Sequence, residues 1–231
     1  MMISDLIQRN PIRLFGDPAS PVLDPGDLGA IIARAGVGKT SFLVQLALDS
    51  LLRGRNLLHV SLDQPVRKVC LWYEEVFRKI TDEYGVTYTN DLWETILPHR
   101  LIMTFRPDTF EVSHFEERLN DLMEQGIFFP QIVLVDGLPF DVRARDVISE
   151  FRITAREHGF PAWFTARAHQ EDAVGSDGIP TSIGQVADLF KIIVQLEFVE
   201  QEIHVGLLKG KFPENTPPLV LDPSSFLIKQ A

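Results

Sequence analysis

The stretch Ala33 to Thr40, ARAGVGKT, joins an apolar run to an amphipathic segment, and its residue types suit phosphate binding. Gly36 and Gly38 permit a tight wrap in which backbone N–H groups from Gly36 to Thr40 converge on phosphate oxygens, helped by the positive end of the helix that follows. Within the cradle Ala35, Gly36, Val37, Gly38, Lys39, Thr40 and Ser41, the Lys39 ammonium can reach β and γ phosphates and the Thr40 hydroxyl can ligate Mg²⁺. The spelling is that of a Walker A motif from Gly38 onward, with Ala33 in place of the usual first glycine. Asp136, at the end of the apolar run IVLVD, supplies a carboxylate suited to holding the metal through water. Either feature alone also fits a bland reading, a turn with a surface lysine or a strand that happens to end in Asp. Together they predict binding of a nucleoside triphosphate, with Mg²⁺ as the expected metal.

These groups need strands that end at them and a helix that begins on the loop. LGAII at Leu28 to Ile32 reads as a fully buried strand, and Thr40 to Arg53 as a helix with Leu43, Leu46, Ala47 and Leu51 on one side. LLHVSL at Leu57 to Leu62 is a second strand, after which Pro65 suits the first turn of a helix reaching about Tyr84. Its inner stripe is expected to be Val66, Val69, Cys70, Tyr73, Phe77 and Ile80, with Leu71, Trp72 and Val76 partly on another face, packed internally rather than covered by another subunit. Further strands at Arg100 to Phe105, Gln131 to Gly137 and Pro161 to Ala166 alternate with helices at Glu111 to Gln125 and about Arg143 to Glu157. In the tail, IIVQLEF, EIHVGLLKG and short stretches near Pro218 to Ile228 read as consecutive strands. The predicted class is α/β, a mostly parallel central sheet flanked by helices with C-terminal antiparallel strands. Pro11, Pro18, Pro21 and Pro25 set residues 1–25 apart as a lead-in arm before a nucleotide-binding domain at 26–231. Met1 to Arg9 is either a frayed end or an amphipathic turn docked on the core or on a neighbouring subunit.

The composition narrows the function classes. A chain of 231 residues with 45% hydrophobic content can build one substantial domain, and a net charge of −10 disfavours an extended electrostatic grip on nucleic acid. Cys70 is the only cysteine, which excludes an internal disulfide and a multi-cysteine metal site. No apolar run has the length of a membrane span and the first residues do not read as a secretory signal, so the expected setting is cytoplasmic, without membrane.

The run PGDLGAIIARAGVGKTSFLVQLA, then HVSLD, then IVLVD, resembles the RecA superfamily, in the style of KaiC clock proteins and DnaB-type replicative helicases, over about Asp24 to Phe212. The resemblance implies a RecA-like P-loop NTPase core with one strand between the Walker A and Walker B strands, and assembly into rings or filaments with ATP at subunit boundaries. That family usually ends the strand after the P-loop helix in a glutamate that orients the attacking water, and Asp63 of SLDQP occupies the matching place. Being one methylene shorter, Asp63 stays open between a catalytic carboxylate, a metal partner and a helix cap next to Pro65, with Glu74 and Glu75 as fallback carboxylates. A polar residue after the Pro161 strand usually senses the γ phosphate. Here TARAHQ offers Thr165, Arg167, His169 and Gln170, of which Arg167 and Gln170 donate independently of pH. Lys209 and Lys211 of LLKGKF, expected on one face of a strand, match a Lys-x-Arg pair that reaches the adjacent protomer's ATP. They are then either cationic fingers in trans or an exposed basic strand.

DNA translocation is disfavoured, because residues 168–190 carry Glu171, Asp172, Asp177 and Asp188 but neither Lys nor Arg. The leading expectation is a Mg²⁺-dependent, slowly hydrolysing, homo-oligomeric KaiC-like regulatory ATPase that exposes or hides a surface for a protein partner. Its rivals are a nucleotide-dependent interaction module with little turnover and a small-molecule phosphotransferase.

Overall fold

A computed structural model of the chain describes residues 2–15, 21–86, 90–168, 175, 178–212 and 216–230. Six apolar runs, β1 (Leu28–Ala33), β2 (Leu57–Ser61), β3 (Arg100–Thr104), β4 (Ile132–Asp136), β5 (Ala162–Arg167) and β6 (Ile192–Val199), lie parallel in the order β3-β2-β4-β5-β1-β6. Strands β7 (Glu202–Lys209), β8 (Leu219–Leu221) and β9 (Ile228–Gln230) extend that sheet antiparallel beyond β6. Every residue of β1, β2 and β4 is buried, as strands covered on both faces require, whereas the edge strand β3 is half-buried throughout. One strand, β5, separates β1 from β4. The architecture is mixed α/β with a mostly parallel central sheet and flanking helices, consistent with a RecA-like fold.

The helices are α1 (Met2–Arg9), α2 (Lys39–Leu52), α3 (Val66–Glu83), α4 (Asn90–Ile96), α5 (Val112–Glu124), α6 (Ala144–His158) and the short α7 (Thr181–Gly184). They divide the core into two layers. On one face of the sheet Leu6, Phe42, Leu46, Phe77, Trp93 and Trp163 form one apolar cluster; on the other, Phe115, Phe151, Phe164 and Phe190 anchor a second. Helix α2 is buried from Phe42 to Leu52 on all sides rather than along one stripe. The cause is the arm: Leu6, Ile12 and Phe15 are buried against it, and the Phe15 ring meets Phe42 edge-on at 5.3 Å. The first residues are therefore docked on the chain's own core.

Helix α3 departs from its expected facing. Its buried stripe is Val69, Tyr73, Val76, Phe77, Ile80 and Thr81, while Val66 is exposed and Cys70 half-buried. Val66 occupies the first turn, at the rim of the layer, which takes it off the core. Leu71 is not packed internally either, being 55% exposed. Helix α4 has no counterpart in the sequence reading; its Leu92, Trp93 and Ile96 are buried, with the Trp93 ring tilted 37° against Phe77 at 5.1 Å.

Candidate functional site

The C-terminal ends of the parallel strands converge on the loop between β1 and α2, where the strand order of such sheets opens a crevice. Gly36 and Gly38 have φ of 80° and 94°, the left-handed region. Gly38 caps α2, and a Cβ there would lie 2.7 Å from the Phe226 ring, so conformation and space both require glycine. The Lys39 ammonium folds back to donate to the carbonyl oxygens of Ala33 at 2.9 Å and Arg34 at 3.1 Å. Burial lowers its pKa from the ordinary lysine value, Asp136 works against that shift and Arg167 adds to it.

Asp136 ends β4 in a buried position. The Thr165 hydroxyl donates to its Oδ1 at 2.5 Å and the Thr40 hydroxyl to its Oδ2 at 3.4 Å. Burial raises the carboxyl's pKa; the Thr165 bond opposes this, Asp63 reinforces it, and Lys39 and Thr40 oppose it. The adjacent oxygens of Thr40 and Asp136 suit Mg²⁺, which takes one or two protein oxygens and fills its remaining positions with water and phosphate. Among the described residues no three His, Cys, Asp or Glu side chains cluster as a metal cage, so a metal here would depend on ligands from a phosphate or water.

Asp63 follows β2 and is exposed beside Gly137, which has φ 89°. A Cβ at Gly137 would fall 2.8 Å from Asp63 Oδ1, so this glycine is what lets the two carboxylate-bearing loops touch. A cavity of about 430 Å³ is lined by Ala35, Lys39, Thr40, Asp63, Asp136 and Arg167, with Thr165 and Trp72 also on its walls. A second cavity of about 310 Å³ shares Lys39, Thr40 and Trp72 with the first and is bounded also by Gly36, Gly38, Ser41, Val76 and Phe226. An open cleft of about 650 Å³ lies across Asp63 and Gln64, toward Thr104, Arg106, His114 and Arg118.

The structure thus brings together Ala35, Gly36, Gly38, Lys39, Thr40, Ser41, Asp63, Asp136 and Arg167 around two adjoining cavities, while Val37 of the same loop is buried in the core. Gln170 and His169 lie outside the described residues. Glu75 forms an ion pair with Lys79 at 2.8 Å, and both line the second cavity. Lys209 and Lys211 do not share a strand face, because β7 ends at Lys209 and Gly210, with φ 92°, turns the chain. Lys209 pairs across from Ile193, whose β1 neighbour is Ala30, and donates to the Ala187 carbonyl at 2.8 Å. That is the end of the sheet away from the chain's own phosphate loop.

Two contributors go beyond the sequence reading. Thr165, a candidate γ-phosphate sensor by sequence, holds Asp136; strand alternation, which puts Thr165 and Arg167 on one face of β5, is the signal that turns both toward the site. Phe226, with φ 56°, walls the second cavity, and its carbonyl accepts from Ser41 Oγ at 3.1 Å and Gln45 Nε2 at 2.9 Å. No local pattern announces a partner so distant in sequence.

Fold and site together define a mixed α/β chain whose phosphate-suited loop, buried aspartate and neighbouring carboxylate meet at the ends of parallel strands. No family model matches the chain. Over 220 residues, 80% of the chain, it is 21% identical to a DnaB-like replicative helicase of Enterobacteria phage T4. The matched part is 46% of that protein, so the chain spans about half the length of this curated relative. The similarity supports a P-loop helicase-type fold. No helix among the described residues is long and apolar enough to cross a membrane.

Proposed function

We propose that the chain is a Mg²⁺-dependent ATPase of RecA type, with Ala33 to Thr40 as its Walker A loop and Asp136 as its Walker B carboxylate. The observation that carries this reading is the single cavity shared by Lys39, Thr40, Asp63, Asp136 and Arg167. A triphosphate seated there has its β and γ oxygens beside Lys39, which would exchange two backbone carbonyls for phosphate. Thr40 and Asp136 would hold Mg²⁺, whose chemistry is to neutralise phosphate charge. Asp63, across Gly137, would orient and deprotonate the attacking water. The smaller cavity walled by Trp72, Val76 and Phe226 offers the apolar surface that a base needs. A slow, KaiC-like regulatory role with self-association belongs to this proposal; Lys209 and Lys211 could serve it only on another copy's nucleotide. The cation-free sequence of residues 168–190 favours a switch over a DNA motor.

A second reading, a small-molecule phosphotransferase, is favoured by the open cleft on the far side of Asp63, which could admit an acceptor hydroxyl to the same carboxylate. Binding of a fluorescent ATP analogue and release of phosphate with Mg²⁺ decide the matter. Lys39→Ala and Asp136→Ala should abolish productive Mg·ATP binding, while Asp63→Asn binds and loses most turnover. Wild-type protein indifferent to millimolar ATP and GTP with Mg²⁺ would refute the nucleotide reading. Binding without turnover would leave an interaction module.

A further inference from the structure

We propose that Arg167 is a catalytic residue acting in cis, the arginine that stabilises the transferring phosphoryl group, so that turnover needs no second copy of the chain. The inference rests on the ATPase reading above and adds to it the identity and origin of the catalytic cation.

Position comes first. Arg167 is the last residue of β5 and pairs in register with Ala33, the residue at which β1 enters the phosphate loop. The next amide, Ala168 N–H, donates to the Ala33 carbonyl at 3.0 Å, and that same oxygen accepts from Lys39 Nζ. The end of β5 is thereby tied to the loop it would serve. From this anchor the side chain lines the cavity that also holds Lys39, Thr40, Asp63 and Asp136.

Among the described residues the guanidinium also has unused hydrogen-bonding capacity. Arg53, Arg106 and Arg145 each bind a carboxylate, Asp49, Asp108 and Asp188 respectively, at 2.8 Å. The Arg167 guanidinium has no hydrogen bond or ion pair with any described residue, although two carboxylates line its own cavity. A five-donor planar fork left unspent beside a lysine is matched to an anion with several oxygens, and phosphate satisfies both cations at once.

The two lysines of the expected distal pair are elsewhere. Lys209 sits level with Ala30, three residues or roughly 10 Å of strand before Ala33, and it is bonded to the Ala187 carbonyl. Lys211 lies past the end of β7 and is exposed. Neither reaches its own cavity, and lysine lacks the two-pronged geometry that arginine presents to phosphoryl oxygens.

In the step this implies, the water oxygen bonds to the γ phosphorus as the bond from that phosphorus to the bridging oxygen breaks. The electron pair leaves on ADP, and the water proton passes to the Asp63 carboxylate. Arg167 gives up no proton; its N–H groups follow the charge on the phosphoryl oxygens.

The test measures Mg·ATP affinity by displacement of a fluorescent ATP analogue, steady-state kcat, and assembly mass over a wide dilution series. For Arg167→Ala we expect nearly unchanged affinity, kcat lower by about 10³-fold, the low end for an arginine finger, and partial recovery with added guanidinium ion. Guanidinium should not rescue Asp63→Asn. For the parent protein we expect turnover per subunit to stay constant as any assembly dissociates. The proposal is overturned if Arg167→Ala keeps kcat within about threefold of the parent, if turnover per subunit falls with dilution, or if the parent binds Mg·ATP without hydrolysing it. A parent that does not bind Mg·ATP refutes the ATPase reading itself, a separate outcome that removes the basis of this one.

Discussion

The Thr165 hydroxyl on β5 donates to Oδ1 of Asp136 on β4 at 2.5 Å and accepts the Gly137 N–H at 3.1 Å, so one side chain fixes the orientation of the buried carboxylate and the start of the loop after it. Thr165→Val removes both bonds while keeping shape. It should cost about 1–3 kcal/mol of stability and weaken Mg²⁺-dependent ATP binding, with Thr165→Ser close to the parent. Calorimetric unfolding and nucleotide titration check this; a valine variant with parental affinity would show that Asp136 needs no such holder.

Gly137→Ala should separate turnover from binding. The new methyl would meet Asp63 Oδ1 at 2.8 Å on a backbone with φ 89°, so the carboxylate must move while Lys39 and Thr40 stay in place. The expected result is a fall in kcat with little change in affinity for Mg·ATP. If hydrolysis proceeds at the parental rate, Asp63 has no catalytic place.

Gln45 is wholly buried and ties α2 to the C-terminal stretch at 226–228: its Nε2 donates to Ser41 O at 3.2 Å and Phe226 O at 2.9 Å, and its Oε1 accepts from Ile228 N at 2.9 Å. Gln45→Leu leaves the Ile228 amide unpaired in the interior, a loss of about 1–3 kcal/mol. Because Phe226 walls the smaller cavity, the same variant should bind ATP less tightly while its affinity for inorganic triphosphate holds. Equal weakening for both ligands would place the base elsewhere.

His59 makes stability depend on pH. It is fully buried on β2, its Nδ1 lies 3.0 Å from the Tyr73 hydroxyl, and burial, reinforced by Arg100, pushes its pKa from 6.5 down to about 3. As pH falls through about 6.5 the unfolded chain gains a proton that the folded chain refuses until about 3. Stability from this source is complete above that window and declines within it by about 1.4 kcal/mol per pH unit, or about 2 kcal/mol by pH 5. Urea unfolding between pH 7.5 and 5 should show a shallower decline for His59→Asn; identical slopes would assign the effect to other groups.

The arm can be tested through Leu6, which is completely buried beside α2. Leu6→Ala should destabilise the whole chain by about 2–5 kcal/mol in one cooperative transition. An unchanged midpoint would mean that residues 2–15 are dispensable to the core.

Much of this protein is legible in its sequence because the informative patterns are local. A buried strand run into GVGKT reads as strand, loop and helix, and IVLVD reads as a strand ending in a carboxylate, since period and glycine placement act over a few residues. What lies beyond local pattern is which ends meet. That Thr165 holds Asp136, that Gly137 makes room for Asp63, that Phe226 closes a cavity 185 residues from Ser41, and that Lys209 stands at the far end of the sheet all follow from strand order and register. Side-chain chemistry is written along the chain, but contact distance is decided only when parallel strands from distant segments pack edge to edge. Hydrophobic burial drives that packing without regard to sequence separation.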